Sequence, residues 1–130
     1  MSIGYRTFFL VAALYDIVLG AGFFFLYGPL FETLGIALPN NISYIHLTAA
    51  FVFVQGAGYW FVFQDPDANR GIVKLGVIYK IAFAGLAFYY AAIGELIHSL
   101  FLVFGALDVL FLIGFVMYLM RRRSEELEPA

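Results

Sequence analysis

The chain has 130 residues, of which 64% are hydrophobic and 12% are charged. This charged fraction is too small to cover a soluble domain, so the composition indicates a protein whose main solvent is lipid. The lack of cysteine excludes disulfides, thiolate metal sites and cysteine nucleophiles.

Four apolar runs are long enough to cross a hydrocarbon core of about 30 Å, which takes about 20 helical residues. The predicted spans are residues 7–27, 43–63, 72–92 and 97–120. Helix is the state that pairs their backbone groups in lipid, and the alternation of a membrane barrel is absent. We therefore predict an all-α membrane protein, a four-transmembrane-helix bundle with up-down-up-down order and a single domain over residues 1–130.

Helix-breaking residues fall between the predicted spans. Gly28 and Pro29 are expected to end the first span, and Asn41 or Ser43 to cap the second. The apolar segment 30–38 is expected to lie on the membrane surface.

The basic residues outside the spans fall on one face of the membrane when the four spans are threaded in order. The opposite face carries Glu32 and Glu95 and no lysine or arginine. The positive-inside bias therefore predicts that the N-terminus and the C-terminal tail, residues 121–130, are cytoplasmic. The basic residues concerned are Arg6, Arg70, Lys74, Arg121, Arg122 and Arg123.

A weak internal repeat relates the two halves of the chain. Residues 14–17 align with residues 78–81, and Ile45-His46 aligns with Ile97-His98. A repeat of this kind would be parallel, with its axis along the membrane normal. Chance similarity between apolar sequences is the alternative.

Each predicted span carries one strongly polar side chain, and the four residues lie at similar depths, within about one helical turn. They are Asp16, Gln55, Lys80 and Asp108. A charged residue at a helix centre costs about 2.5–3.5 kcal/mol on insertion scales. We therefore expect these side chains to point inward, with Lys80 paired to Asp16, to Asp108 or to both, on helix faces lined by small residues.

This polar layer contains two carboxylates and one ammonium group, so one aspartate is expected to hold a proton near neutral pH. A shared proton is what a relay or a proton-coupled carrier uses, and intramembrane charges are functional candidates by default. Our first hypothesis is that the layer binds a polar solute or handles protons. The alternative is an ion-pair network that fixes helix register.

Two histidines, His46 and His98, lie near the ends of the second and fourth spans, opposite the basic face. The spacing of Glu95 and His98 would put both on one helix face, and Glu32 could join the set around a metal ion. A haem held between the histidines is a variant of this reading. Because the motif occurs once, whereas di-iron bundles carry it twice, we favour interfacial histidines and predict no cofactor.

The remaining features exclude several function classes. There is no phosphate-binding glycine loop and no basic stripe for nucleic acid. The loops are too short for a soluble catalytic domain, so an enzyme is not favoured. Expected partners are the lipid bilayer and a second copy or another membrane subunit. Small residues that leave room for close helix contacts are Gly20, Gly56, Gly58 and Gly85.

Each half of the chain carries its own set of landmark residues. They are Gly20, Pro29, Phe31, Leu34-Gly35-Ile36, Pro39, Asp65-Pro66, Gly71, Gly76 and Lys80. With four short spans, this pattern resembles the DoxX-like group of small bacterial membrane proteins. The resemblance implies a bacterial inner-membrane location and a role as an accessory or scaffold subunit of a quinone-linked redox complex. It carries over no catalytic residue.

Overall fold

The structure is a computed structural model that describes the backbone of residues 3–127 and the side chains of residues 4–121. Within these limits the chain is helical and contains no strand. Of the predicted cytoplasmic tail, residues 128–130 lie outside the described residues. The helices are α1 (Ile3–Phe25), α2 (Tyr27–Leu34), α3 (Ser43–Gln64), α4 (Arg70–Ala92) and α5 (Leu100–Leu127), and a 3-10 turn (Asp67–Asn69) precedes α4.

Helices α1, α3, α4 and α5 are each long and apolar enough to cross a membrane. The prediction of an all-α protein with four spanning helices is therefore confirmed. Many large apolar side chains of these helices are exposed on the protein surface. Such a surface is suited to lipid contact, because lipid tails are as apolar as these side chains.

The first spanning helix ends earlier than predicted. The backbone leaves helical geometry at Leu26, with φ −116° and ψ 25°, and α2 starts at the next residue. Gly28 and Pro29 therefore lie inside α2 rather than ending α1. A proline is tolerated in a first helical turn because its missing N–H has no acceptor there.

Helix α2 covers the start of the segment expected on the membrane surface. It ends at Gly35, which has a φ of 70°, and the Ile36 N–H donates to the Phe31 carbonyl at 2.9 Å. This bond is the 6→1 contact of a Schellman motif, which needs a left-handed residue that glycine supplies without strain. The Phe31 ring packs edge-on against Phe23 at a centroid distance of 6.4 Å. Helix α2 is therefore held against α1.

Side chains just before the helices satisfy the first backbone N–H groups of α3 and α5. The N-cap position of α3 is Ile42, so neither Asn41 nor Ser43 is the N-cap, but the Ser43 N–H donates to Asn41 Oδ1 at 3.0 Å just before the helix. The Leu100 N–H donates to His98 Nδ1 at 2.9 Å. The fourth spanning helix consequently begins at Leu100, later than the predicted residue 97.

The chain divides into two compact units, Met1–Pro66 and Asp67–Ala130. The first hairpin consists of α1 and α3 with α2 between them, and the second hairpin consists of α4 and α5. In the first hairpin Arg6 Nε donates to the Phe63 carbonyl at 3.1 Å, and the Phe24 ring lies 4.5 Å from His46. Because the start of α1 contacts the end of α3 and the end of α1 contacts the start of α3, the two helices are antiparallel. The single-domain organisation stays a prediction.

Two glycines set the separation of α1 and α3. A Cβ atom added at Gly20 would lie 2.6 Å from the Phe53 backbone nitrogen, and one at Gly56 would lie 2.7 Å from the Ile17 nitrogen. Backbones can approach this closely only where no side chain intervenes. Small residues have this role between membrane helices, where packing rather than the hydrophobic effect drives association.

The second hairpin places a glycine at the corresponding contact. A Cβ atom added at Gly105 would lie 3.3 Å from the Ala87 Cβ and 3.9 Å from the Ala84 Cα. The alignment that pairs the first and third spans matches Gly20 with Ala84, and the alignment of the histidines matches Phe53 with Gly105. The contact between Gly20 and Phe53 thus recurs as a contact between Ala84 and Gly105. This equivalence supports the internal repeat.

Candidate functional site

Three charged side chains are almost completely buried: Lys80 is 0% exposed, Asp16 1% and Asp108 4%. A buried charge without a partner is costly in a low-dielectric medium, and such charges in proteins are therefore paired. The candidate functional site is the pair Lys80 and Asp108 of the second hairpin, and Asp16 is a separate buried charge of the first hairpin. The buried small residues that share their helix faces are Ala12, Ala13 and Gly20 on α1, and Gly76, Ala84 and Ala87 on α4.

Lys80 and Asp108 form a direct ion pair inside the second hairpin. The Lys80 Nζ donates to Asp108 Oδ1 at 2.8 Å. Lys80 belongs to the buried stripe of α4 that starts at Val73 and Gly76 and continues through Ala84. The spacing of three and four residues keeps this stripe on one helix face. The small residues of the stripe bring α5 close enough for Asp108 to reach the ammonium group.

Two aromatic rings complete the surroundings of the ammonium group. The Lys80 Nζ lies 5.2 Å from the Phe111 ring centroid and 5.4 Å from that of Tyr79. A cation over an aromatic face gains about 0.5–2 kcal/mol, more where water is excluded. Our sequence analysis missed both rings. A spacing signal was available for Phe111, which follows Asp108 by three residues on α5, but not for Tyr79, because adjacent helix residues point in different directions.

The geometry of the Lys80–Asp108 pair allows two protonation arrangements. The proton in the 2.8 Å hydrogen bond belongs to the ammonium group in the ionic form and to the carboxylic acid in the neutral form. Both arrangements contain the same number of protons, so a change from one to the other neither takes up nor releases a proton.

The first hairpin contributes the other two residues of the predicted polar layer. Asp16 is buried, and Gln55 is half-buried one residue before Gly56. Because Gly56 packs against Ala13 and Ile17, Gln55 lies at about the level of Asp16 along the hairpin. Asp16 also takes part in a polar or electrostatic interaction.

His46 lies among aromatic rings rather than carboxylates. Its ring is 4.5 Å from the Phe24 centroid at an interplanar angle of 30°, and 5.2 Å from that of Tyr27 at 82°. These contacts hold the imidazole at the end of the first hairpin where α1 passes into α2. This aromatic setting was not predicted from the sequence.

Glu95 and His98 do not lie on one helix face, so that expectation is wrong. Helix α4 ends at Ala92, Gly94 has a φ of 74°, and α5 begins at Leu100. The left-handed glycine ends the helix before the Glu95 side chain can align with His98. Glu32 and Glu95 are exposed. Among the described residues, no group of three or more histidine, aspartate or glutamate side chains could hold a metal ion.

No protein-family model, curated protein or solved structure matches the chain significantly. The remaining indications of function are the buried charges and the packing within each hairpin. Together they establish a small multi-pass membrane protein of spanning helices with charged residues buried among them.

Proposed function

We propose that this protein handles protons or binds a small polar solute within the membrane through its buried charges. The observation that carries the proposal is the Lys80–Asp108 contact of 2.8 Å in a hairpin whose helices are long and apolar enough to span the bilayer. Charges at this depth are costly and mark ion paths or proton relays in many membrane proteins. Asp16 and Gln55 are included on the strength of the sequence prediction.

Proton handling is the more specific form of the proposal. In a relay, the Asp108 carboxylate would take up a proton from one side of the membrane and release it to the other while Lys80 remains its hydrogen-bond donor, and Asp16 supplies a further buried carboxylate. A polar solute would instead compete with Lys80 for the Asp108 carboxylate. Proton handling predicts a flux of protons across a sealed membrane, whereas the solute form of the proposal does not.

A flux assay tests the proposal. The purified protein is placed in liposomes that contain a pH-sensitive dye, and a potassium gradient with valinomycin drives proton entry. We expect proton entry several-fold above that of empty liposomes, and loss of this entry in Asp108→Asn. Leu110→Met, on the exposed surface of α5, is the matched control. Proton entry equal to that of empty liposomes would contradict proton handling. Binding of a small polar solute would then be tested by the release of such a solute from liposomes that contain it and no dye.

A second candidate is a non-catalytic accessory or scaffold subunit of a membrane complex, as the resemblance to DoxX-like proteins implies. The specific observation in its favour is the exposed small-residue face of α4. Ala82 and Gly85 are exposed, and nothing lies within 4 Å of a Cβ atom added at Gly85. Small residues on such a face let another membrane helix approach closely.

The accessory role predicts a stable partner in mild detergent. Gly85→Leu would remove that partner, whereas Gly22→Leu, also in open space, would keep it. A parent protein that purifies alone as a monomer would contradict this second candidate. We also propose a bacterial inner-membrane location with cytoplasmic termini, which the segregation of basic residues supports.

A further inference from the structure

The first hairpin carries an apolar groove beside the contact between α1 and α3. The groove has a volume of about 270 Å³. It lies in the half of the hairpin next to α2, within the last turns of α1. Its lining residues are Gly20, Ala21, Phe24 and Phe25 from α1, and Ala49, Ala50, Phe53 and Val54 from α3.

The groove has a fixed floor and an open rim. Its floor is the contact between α1 and α3, where a Cβ atom added at Gly20 would lie 2.8 Å from the Ala49 carbonyl oxygen. Because α1 and α3 are already in backbone contact there, the groove cannot close by a closer approach of the two helices. At the rim, Phe25, Phe53 and Val54 are exposed. The groove is thus continuous with the apolar surface that the spanning helices present to lipid.

Polar rings stand at the end of the groove nearest α2. Phe24 lines the groove and also stacks on His46 at 4.5 Å, and His46 meets Tyr27 at 5.2 Å. An imidazole and a phenol therefore follow directly after an apolar channel, near the end of the spanning segment. This order of apolar and polar groups matches an amphiphile that stands upright in the membrane.

We propose that this groove binds one acyl chain of a membrane phospholipid, with the glycerol–phosphate region at Tyr27 and His46. The size of the groove favours this occupant over a second copy. Its lining covers six residues of each helix, or about 9 Å of rise, which holds the part of one acyl chain nearest the glycerol and is far shorter than the about 33 Å that a helix packed along a whole span of 22 residues would need. The volume is also below the range of about 300–1,000 Å³ for pockets that enclose drug-sized ligands.

Lipid retention tests this proposal. The protein is reconstituted in nanodiscs of palmitoyl-oleoyl phosphatidylglycerol, extracted into mild detergent, and weighed by native mass spectrometry. We expect one retained phospholipid per chain. Ala50→Phe fills the groove and should reduce retention to background. Val18→Phe makes the same enlargement on an exposed face of α1 outside the groove, and should retain the lipid.

A second groove variant and a folding measurement distinguish loss of the lipid site from misfolding. Ala21→Leu narrows the groove from the opposite wall, and circular dichroism confirms that each variant remains helical. Loss of lipid in both groove variants, with retention in Val18→Phe, supports the proposal. Retention in the folded groove variants, or no retained lipid in the parent, overturns it. A parent mass equal to two chains without lipid overturns it in favour of a second copy.

The polar end of the groove has its own test. Tyr27→Phe and His46→Phe keep the rings but remove the polar atoms, and each should weaken retention about 3- to 10-fold. Unchanged retention in both variants would overturn the assignment of the lipid head region to these residues. Because the groove shares no residue with the Lys80–Asp108 pair, this proposal stands or falls separately from proton handling.

Discussion

The Lys80 ammonium group lies 2.8 Å from a carboxylate oxygen of Asp108, and both side chains are buried in the second hairpin. The two residues are far apart in sequence and come from different helices. Their contact links the packing of α4 and α5 to a charge arrangement that lipid alone would not tolerate. The stability of the hairpin and its proposed function therefore depend on the same pair.

Breaking the pair from one side should be more harmful than removing it. Lys80→Met leaves a buried carboxylate and Asp108→Leu leaves a buried ammonium group, so each should lower the free energy of unfolding by about 3–5 kcal/mol. The double variant should lower it by less than either single variant, because no charge is left without its partner. Unfolding by SDS titration, followed by circular dichroism, measures the three values. Additive losses in the double variant would show that the pair is not coupled.

The two close glycines of the first hairpin should not tolerate a methyl group. Gly20→Ala and Gly56→Ala place a Cβ atom within 3 Å of opposing backbone atoms, so each should lower the free energy of unfolding by about 1–3 kcal/mol. Gly22→Ala is the control on the same helix, since nothing lies within 4 Å of its added Cβ atom. It should leave stability unchanged or raise it by up to about 1 kcal/mol. Equal behaviour of Gly20 and Gly22 variants in the SDS titration would contradict the close approach.

The imidazole of His98 should stabilise the start of α5. His98→Ala removes the acceptor for the Leu100 N–H and should lower the free energy of unfolding by about 0.5–2 kcal/mol. His98→Asn keeps an acceptor within reach and should retain most of that stability. Hydrogen exchange at the Leu100 amide should accelerate in the alanine variant. Unaltered exchange there would show that His98 is not the cap.

Cysteine labelling should establish the orientation of the chain. The protein contains no cysteine, so single cysteines can be introduced on a clean background. Gly71 and Glu95 are exposed near opposite ends of α4. A membrane-impermeant maleimide should label Glu95→Cys in intact cells and Gly71→Cys only after permeabilisation. The reverse pattern would place the basic face outside and refute the predicted cytoplasmic termini.

The positions of the spanning helices were largely predictable because a bilayer imposes requirements that a sequence displays directly. A span needs about 20 apolar residues, and three of the predicted spans agree closely with α1, α3 and α4. The inward faces were also predictable, since Asp16 and Lys80 each share a stripe with small residues. Boundaries were less certain. Pro29 lies in the first turn of α2 instead of ending α1, because proline is compatible with a first turn.

Side-chain surroundings were the less predictable part of the site. The sequence left Asp16, Asp108 or both open as partners of Lys80, and the structure shows the ion pair of Lys80 with Asp108. The expectation for Glu95 and His98 failed because Gly94 takes a left-handed conformation and ends α4. A spacing rule for a helix face applies only where the helix continues, which the spacing itself does not reveal.

By itself, the sequence determined that this protein has four apolar helices, three of which carry a charged residue near their centres. It could do so because span length and hydropathy are local properties along the chain. Only the tertiary structure decided that Gly20 meets Phe53, that Lys80 meets Asp108, and that aromatic rings surround His46. Those residue contacts depend on which helix backbones come together. Contacts of this kind are set by packing between residues that are distant in sequence.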